Sequence, residues 1–538
     1  MIAGRVKVLA TLLILFFGSF AFVNTIQAQD VQANMMKFGR LLQLIEGNYV
    51  DTTNIDDLTE KAIVEVLKGL DPHSVYISKE EVEKMNEPLK GSFEGIGISF
   101  NIFKDTLLVV STIPGGPSEK VGLQAGDRIM HVDEKAIAGI GLKNSDVFDM
   151  LRGDKGTVVN LKVSRKNNDE LIDFRIIRDK IPIHSLDASY MLNNETGYIK
   201  LNRFSATTTD EFFTAIKELK QKPGFNNLVL DLRGNGGGYL KSAIELADQF
   251  LGAFKMVVYT EGENNKRKEY KASALGEFEQ GRLIILIDEG SASASEIVSG
   301  AIQDWDRGVI IGRRSFGKGL VQQPFFLNDG SMVRLTTAHY YTPSGRCIQK
   351  SYDKGVDEYR KDYLKRFETG ELFSEDSIQF DKGLTFETLK SKRTVYGGGG
   401  IMPDIFVPMD TSVHYGYFNQ IVRKNILYSA VLDHLDKKRD EYVQNFTSFE
   451  VFRKNFEADD ELVESMFAEA DKEGIEKDEE GLEFARPIMK RQIKALIARD
   501  LFGQSAFYQI INEEEEVIKE ALKVLKNNSE YNTLLVEK

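Results

Sequence analysis

The spacing of hydrophobic residues changes along the chain and predicts several different domains in succession. Met36, Leu41 and Leu44 fall on one face of a helix with 3.6 residues per turn, so residues 30–90 are predicted to be helical. In residues 91–178 the apolar stretches are short and separated by glycine-rich turns, as in the β strands of a small domain. The chain therefore begins with two structurally different units.

Strands and helices alternate in the next region, residues 179–350. The apolar stretch Leu228–Leu232 is followed by a glycine-rich turn and a helical segment. The same order returns at Leu283–Ile287, a predicted strand, and Ser293–Trp305, a predicted helix. This alternation predicts a core with a central sheet and helical crossovers.

The rest of the chain is divided between an insertion and a helical extension. Residues 351–395 are charged and poorly periodic, which indicates an insertion, and residues 396–410 return to the core. Residues 411–538 carry charged amphipathic helices. The predicted fold class is multidomain α/β, with a helical N-terminal region, a small β domain, a mixed α/β core and a C-terminal helical domain.

The first 28 residues have the pattern of an export signal. Arg5 and Lys7 precede an apolar run at Val8–Val23, which predicts a secretory signal peptide. Ile26 stands where a small residue is preferred before cleavage, so an uncleaved N-terminal anchor is the alternative. The apolar run is shorter than the about 20 residues of a membrane-spanning helix.

Composition and charge exclude some classes of function. The hydrophobic fraction of 42% and the charged fraction of 28% are ordinary for a globular protein. The net charge of −13 argues against nucleic-acid binding, because phosphate contacts need a basic surface. Cys347 is the only cysteine, which excludes an intrachain disulfide and a cysteine-based metal site.

The segment Asp288–Glu296 is the first candidate for chemistry. It joins a predicted buried strand to a predicted helix and holds Ser293 among small residues. A nucleophile at such a turn is lifted clear of the sheet, and the free N–H groups of the helix can stabilise negative charge. The alternative is structural, since Ser293 and Glu296 have the spacing of a capping box.

Lys318 is the second candidate, because it lies in an apolar, glycine-rich stretch. Burial would lower the pKa of its amine and let it accept a proton from a serine. If residues 318–322 form one strand, Gln322 lies on the same face and can orient the amine. A surface lysine in a turn is the alternative. A phosphate-binding loop is excluded, since Gly319 replaces the Ser or Thr of that motif and residues 321–327 are predicted to be extended.

A glycine-rich loop is the third candidate. Asp231 and Arg233 are followed by Gly234, Asn235 and the three glycines of residues 236–238. Successive glycines let backbone N–H groups approach a ligand closely, which suits half of an oxyanion hole. A plain tight turn is the alternative.

These three segments occur together and in the same order in a known family. Over residues 35–350 and 398–404 the chain resembles the carboxyl-terminal processing proteases, also called tail-specific proteases, in a long bacterial form. The resemblance implies that Ser293 is the nucleophile, Lys318 its general base and Gln322 the residue that positions the lysine. It implies no metal and no cofactor.

The resemblance also implies an oxyanion hole and a supporting residue. The oxyanion donors would be the backbone N–H groups of Ala294 and of one glycine in residues 236–238, taken as Gly237. Asp304, at the end of the nucleophile's helix, matches an acidic residue of the family with a supporting role.

Residues 91–178 resemble the PDZ domain of the same family. Gly95, Ile96, Gly97 and Ile98 would form its carboxylate-binding loop, which holds a peptide C-terminus while the peptide adds a strand to the sheet. The implied partners are protein or peptide substrates with apolar C-termini. Residues 351–395 and 411–538 lie outside the resemblance. Three roles remain open for them: a lid, an adaptor-binding site or homo-oligomerisation.

The sequence thus predicts an exported serine endopeptidase, periplasmic and either soluble or anchored to the inner membrane. The alternative is a non-catalytic PDZ scaffold that retains the protease fold. The joint presence of Ser293, Lys318 and Gln322 favours the enzyme.

Overall fold

The computed structural model describes residues 30–166, 168–274, 276–379, 382–409, 415–476 and 479–536. The predicted export signal, residues 1–28, lies outside the described residues. The described chain forms two compact units, one ending at Tyr76 and one beginning at Ile77. Helices and sheets both contribute, so the predicted multidomain α/β class is confirmed. Within these ranges no helix is both long and apolar enough to cross a membrane.

The first unit is helical, with α1 at residues 30–48 and α2 at Ile55–Lys68. The side-chain oxygen of Asn54 accepts hydrogen bonds from two N–H groups of the first turn of α2, at 3.1 and 3.3 Å. This cap explains why α2 begins where it does. The apolar face predicted for α1 is exposed within this unit.

The second unit begins with a helix and a small β domain. Its sheet is antiparallel in the order β3-β4-β5-β7-β8, with β6 paired to β5. Alternate residues of β7 are buried, as expected for a strand with one face on a core. The elements from the boundary to the end of this domain are β1 (Val75–Ile77), α3 (Lys79–Lys90), β2 (Ser92–Gly95), β3 (Ile98–Phe103), β4 (Thr106–Thr112), α4 (Pro117–Lys120), β5 (Arg128–Val132), β6 (Lys135–Ala136), α5 (Asn144–Leu151), β7 (Val158–Ser164) and β8 (Ile172–Ile177).

The α/β core follows. Its elements are β9 (Asp179–Pro182), β10 (Leu186–Met191), β11 (Thr196–Leu201), α6 (Thr208–Lys220), β12 (Asn227–Asp231), α7 (Leu240–Asp248), β13 (Met256–Gly262), β14 (Asn265–Lys271), β15 (Arg282–Ile287), α8 (Ala294–Asp304), β16 (Val309–Gly312), β17 (Leu320–Phe326) and β18 (Met332–Tyr341). The insertion and its return contain α9 (Val356–Arg360), α10 (Asp362–Glu368), two 3₁₀ turns (Glu375–Ser377 and Lys382–Leu384), β19 (Thr385–Glu387), β20 (Thr394–Tyr396) and β21 (Ile405–Phe406).

The central sheet of the core has the order β10-β11-β12-β15-β16-β21. All neighbours from β11 to β21 are parallel, and β10 is antiparallel to β11. Helices α6, α7 and α8 cover one face of this sheet. The strands of this sheet are continuous apolar segments in the sequence, because both faces of the sheet are buried. A second, antiparallel sheet contains β14, β13, β18 and β17 in that order.

The C-terminal domain is helical, as predicted, and forms a core of its own. Its elements are α11 (Tyr415–Arg423), α12 (Ile426–Asn445), α13 (Phe449–Asn455), α14 (Asp460–Lys472), α15 (Glu479–Phe502), α16 (Gln504–Ile511), α17 (Glu516–Lys526) and α18 (Asn528–Leu534). Helix α17 packs on the second face of the central sheet.

Helix α12 contacts the small β domain. Leu432 is buried against Leu108 and Val110 of β4. An ion pair of 2.8 Å between Arg128 and Asp436 borders this apolar contact. The C-terminal domain therefore packs on both the central sheet and the small β domain.

The parallel order of β12, β15 and β16 determines where the candidate segments lie. The glycine-rich loop follows β12, Ser293 follows β15, and Lys318 follows β16. Because the carboxyl ends of neighbouring parallel strands lie at one edge of a sheet, the fold brings all three segments together there.

Candidate active site

Ser293 occupies a sharp turn between β15 and α8. Its φ angle of +56° lies in the left-handed region, which is unfavourable for a residue with a side chain. Asp288 stabilises this turn. Its Oδ1 accepts hydrogen bonds from the N–H groups of Gly234 at 2.8 Å and Gly290 at 3.0 Å. Strained conformations of this kind cluster at functional sites, and the capping box of Ser293 and Glu296 is formed at the same turn.

Glu296 connects the segment of Ser293 with the segment of Lys318. Its Oε2 accepts hydrogen bonds from the N–H groups of Ser293 at 2.7 Å and Lys318 at 3.0 Å. Its Oε1 accepts from the N–H of Gly317 at 2.7 Å and from the hydroxyl of Ser315 at 2.5 Å. Burial raises the pKa of this carboxyl, although the four hydrogen bonds favour its ionised form.

Tyr340 makes a second connection between the two segments. Its hydroxyl lies 3.1 Å from the carbonyl oxygen of Ser293 and 2.5 Å from that of Lys318. Burial raises the pKa of this phenol well above its ordinary value, so the hydroxyl remains a donor at neutral pH. Tyr340 is on β18, and no local pattern in the sequence indicated its role.

The glycine-rich loop packs directly on the turn of Ser293. A Cβ added to Gly237 would lie 2.8 Å from the carbonyl oxygen of Ala292 and 2.9 Å from Cβ of Ser293. The φ angle of Gly237 is +99°, a conformation that favours glycine. Its N–H donates to Oδ1 of Asn235 at 2.9 Å. The backbone carbonyl of Asn235 accepts the N–H of Ala292 at 3.0 Å, which joins the loop to the turn.

One backbone N–H group in the first turn of α8 has no hydrogen-bond acceptor among the described residues. The N–H of Ser295 donates to Ala292, and the N–H groups of Glu296 and Ile297 donate to the carbonyl of Ser293. The N–H of Ala294 has no acceptor in the part of the chain that the structure describes. A helix N-terminus with such a free N–H group can bind developing negative charge.

Lys318 and Gln322 are close in sequence but do not share one strand. Strand β17 begins at Leu320, and a bulge lies between Val321 and Gln322. The assumption that residues 318–322 form one strand is therefore wrong. The side-chain amide of Gln322 donates to the carbonyl of Leu320 at 3.2 Å and to the hydroxyl of Thr336 at 3.3 Å. The extended conformation predicted after Gly319 is confirmed by β17.

Asp304 lies at the far end of α8 in a buried ion pair. Its carboxylate is 2.7 Å from the guanidinium of Arg346, and both side chains are fully buried. It also accepts the N–H of Ser344 at 2.8 Å. These contacts fix the segment after β18 against the helix that begins at Ser293.

Asp231, the first residue of the glycine-rich motif, belongs to a buried charge network. It pairs with Arg233 at 2.7 Å and Lys200 at 3.2 Å, and accepts the hydroxyl of Tyr198 at 2.7 Å. Burial opposes ionisation, but the adjacent Arg233 and Lys200 charges lower the pKa of Asp231. The motif therefore contains an anchoring ion pair as well as a glycine-rich loop.

The predicted carboxylate-binding loop, residues 95–98, joins β2 to β3. Gly97 has a φ angle of +75°, and the carbonyl of Ile96 accepts both the N–H and the hydroxyl of Ser118, at 3.0 and 2.7 Å. Within the described chain β3 pairs only with β4, so its other edge is open to a further strand. Phe100 of β3 contacts Phe148 of α5 with ring centroids 5.5 Å apart. The two rings form an apolar contact between β3 and α5.

Comparison with known families divides the chain into recognised parts. Residues 195–358 match Peptidase family S41, and residues 108–165 match the PDZ domain. Residues 417–503, in the C-terminal helical domain, match a family of unknown function.

Similar proteins include several bacterial proteases. The chain is 37% identical over 330 residues to a carboxy-terminal-processing protease of Bartonella bacilliformis, covering 61% of this chain and 75% of that protein. It is 32% identical over 411 residues to the carboxy-terminal processing protease CtpB of Bacillus subtilis, covering 75% and 82%. Among solved structures, a photosystem II D1 C-terminal processing protease is 28% identical over 58% of this chain and 89% of that chain, with a TM-score of 0.34.

Proposed function

Because the chain belongs to the carboxy-terminal processing proteases, with a peptidase family S41 core and a PDZ domain, we propose that it is a serine endopeptidase whose nucleophile is Ser293 and whose general base is Lys318. The observation that carries the proposal is the contact of one buried oxygen, Oε2 of Glu296, with the N–H groups of both residues. That contact keeps the two backbone segments adjacent at the edge of the central sheet.

The proposed reaction begins when the amine of Lys318 takes the proton of Ser293 Oγ. The oxygen attacks the carbonyl carbon of the scissile peptide bond and forms a tetrahedral intermediate. The intermediate collapses to an ester on Ser293, and the protonated lysine gives its proton to the leaving amine. Water, deprotonated by the same lysine, then attacks the ester and forms a second tetrahedral intermediate. The bond from the carbonyl carbon to Oγ breaks, the lysine returns its proton to Oγ, and the second product leaves as a carboxylic acid.

The negative charge of the intermediate needs donors close to Ser293. The free N–H of Ala294 and the adjacent Gly237 support an oxyanion hole at this point. In the described structure the Gly237 N–H donates to Asn235, so binding an oxyanion would require that hydrogen bond to be shared or exchanged. Gln322 is proposed to position the lysine, and Asp304 to support the helix of the nucleophile through Arg346.

We further propose that the PDZ domain binds the C-terminus of the substrate. The loop at residues 95–98 would hold the terminal carboxylate, and the open edge of β3 would pair with the peptide. Phe100 and Phe148 favour an apolar side chain near the end of that peptide. Export to the periplasm, guided by residues 1–28, is part of the proposal and rests on the sequence alone.

The proposal is tested with an unfolded substrate protein in two forms, one ending in apolar residues and one ending in aspartates. Mass spectrometry of the products should show internal cleavage of the apolar form, and much slower cleavage of the acidic form. A non-catalytic scaffold would bind the apolar tail and release no products. Cleavage of both forms at equal rates would reject tail recognition and leave the peptidase activity standing.

A further inference from the structure

The insertion between β18 and β19 touches the loop that carries Lys318. This loop, residues 313–319, joins β16 to β17. Arg366 of α10 approaches it from the side of the insertion, and its side chain is 3% exposed. The guanidinium donates to the carbonyl oxygen of Ser315 at 2.9 Å and to those of Arg314 and Phe316 at 3.3 Å each.

Two buried side chains thus hold consecutive parts of the backbone of this loop. Arg366 binds three successive carbonyl groups just before Gly317. Glu296 accepts the next two N–H groups, those of Gly317 and Lys318. A planar guanidinium suits the first task, because its N–H groups form a rigid fork that a lysine amine cannot reproduce.

Two acidic residues lie beside the guanidinium of Arg366. Its Nε lies 3.0 Å from Asp362 and 3.7 Å from Glu371. Glu371 also forms two hydrogen bonds of 2.7 Å with Arg314, a residue of the loop. These acidic neighbours compensate the buried positive charge, and the hydrogen bonds to three carbonyl groups orient the guanidinium.

Aromatic residues also contribute to the contact between the insertion and the loop at residues 313–319. The ring of Phe316, two residues before Lys318, meets the ring of Tyr359 at a centroid distance of 5.9 Å. The amine of Lys350 lies 3.9 Å from the Phe316 centroid and 4.2 Å from the Tyr359 centroid, and is 2.9 Å from Asp362. The insertion therefore contacts the loop through both polar and apolar side chains.

We propose that Arg366 is a positioning residue for Lys318, and that the insertion acts as a brace that keeps the general base directed at Ser293. This inference rests on the proposed function, since it assigns a role relative to the proposed dyad. Without Arg366, the carbonyl groups of residues 314–316 would lose this donor. The loop would then relax, and a displacement of about 1 Å at a reacting group can cost ~10²-fold in rate.

The test compares Arg366→Met with Arg360→Met in the full chain. Arg360 lies on the neighbouring helix α9 and is exposed, so it is a matched control. With rates expressed per active site, we expect Arg366→Met to lower kcat by about 10²-fold. We expect KM for a tail-bearing substrate to change less than about twofold, because Arg366 contacts the loop and not the PDZ domain. Arg360→Met should behave as the wild type.

Two further measurements separate positioning from simple loss of folding. Arg366→Lys keeps the charge but not the fork, so its kcat should fall between those of the wild type and Arg366→Met. Added methylguanidine should restore part of the activity of Arg366→Ala. If Arg366→Met lowers only the fraction of folded enzyme, and kcat per active site stays at the wild-type value, the inference is wrong.

Failure of this inference is distinguishable from failure of the proposed function. If Lys318→Met is inactive and Arg366→Met has the wild-type kcat, the dyad stands and the brace is rejected. If Lys318→Met keeps the wild-type rate, the dyad itself is rejected and the role of Arg366 is rejected with it.

Discussion

Oε2 of Glu296 lies 2.7 Å from the backbone nitrogen of Ser293, and the glutamate side chain has no exposed surface. The same oxygen lies 3.0 Å from the backbone nitrogen of Lys318. One buried group therefore contacts both members of the proposed dyad through their backbones. Its protonation state should affect the stability of the whole edge of the sheet.

The raised pKa of Glu296 gives a prediction for stability as a function of pH. The folded chain keeps this proton at a pH where the unfolded chain has lost it. Protonation of Glu296 therefore stabilises the folded chain. This contribution to the free energy of unfolding is present in full below the ordinary pKa of 4.5 and is lost as the pH rises through the folded-state pKa. The wild type should therefore gain stability relative to Glu296→Gln as the pH falls from neutral towards 4.5.

Urea denaturation followed by tryptophan fluorescence measures this difference. Trp305 is the only tryptophan and follows α8 directly, so it reports on the core that holds Glu296. If the free energy of unfolding of the wild type falls relative to that of Glu296→Gln towards acidic pH, the pKa of Glu296 is lowered in the folded chain and the prediction is wrong.

Gly237 and Gly236 offer a matched pair of substitutions at the proposed oxyanion site. A Cβ at Gly237 would press on Ala292 and Ser293, whereas a Cβ at Gly236 has no neighbour within 4 Å. Gly237→Ala should displace the turn and lower kcat by about 10²–10³-fold, the size of a lost oxyanion donor. Gly236→Ala should lower kcat far less. Equal losses in steady-state assays of the two variants would contradict the packing described for Gly237.

The buried pair of Asp304 and Arg346 predicts a large loss of stability on removal of one partner. Arg346→Met leaves the Asp304 carboxylate buried without its counter-ion, which typically costs about 3–5 kcal/mol. Adding Asp304→Asn removes the orphan charge and should restore part of that loss. Urea denaturation followed at Trp305 would measure both variants. A double variant no more stable than Arg346→Met would contradict this electrostatic account.

The contact between α12 and the PDZ domain can be tested by hydrogen exchange. Leu432 is 3% exposed against β4, and Val443 of the same helix is 59% exposed. A charge at position 432 cannot remain buried without a large cost. Leu432→Asp should speed amide exchange in β4 by more than about tenfold, equivalent to ~1.4 kcal/mol. Val443→Asp should leave it unchanged. Protection of β4 that is the same in both variants would show that α12 does not stabilise this strand.

Much of the architecture followed from local patterns. The apolar runs at Leu228–Leu232 and Leu283–Ile287 are strands β12 and β15 with the bounds shifted by at most one residue. The helix predicted at Ser293–Trp305 is α8. These elements were predictable because both faces of the central sheet are buried, which leaves an uninterrupted hydrophobic signal.

The antiparallel hairpins were harder to predict. Strand β14, Asn265–Lys271, is almost entirely exposed and carries charged residues at most positions, so it has no hydrophobic alternation. Its conformation depends on pairing with β13. Tertiary pairing of this kind is not visible in a local pattern.

The site was predictable in its motifs but not in its long-range contacts. Glu296 was visible as part of a capping box, but its hydrogen bonds to residues 315–318 come from another segment. Tyr340 and Arg366 act on backbone carbonyl groups, which any sequence provides. No residue pattern could therefore point to them.

The most direct test of the proposed dyad is the steady-state rate of peptide-bond cleavage by Ser293→Ala and Lys318→Met. Ser299→Ala, a buried serine on the same helix α8, is the matched control, and fluorescence of Trp305 verifies that each variant is folded. We predict that both dyad variants lose at least about 10²-fold in kcat, the contribution of a general base, and that Ser299→Ala keeps the wild-type rate. Cleavage by either dyad variant at the wild-type rate would contradict the assignment of Ser293 and Lys318.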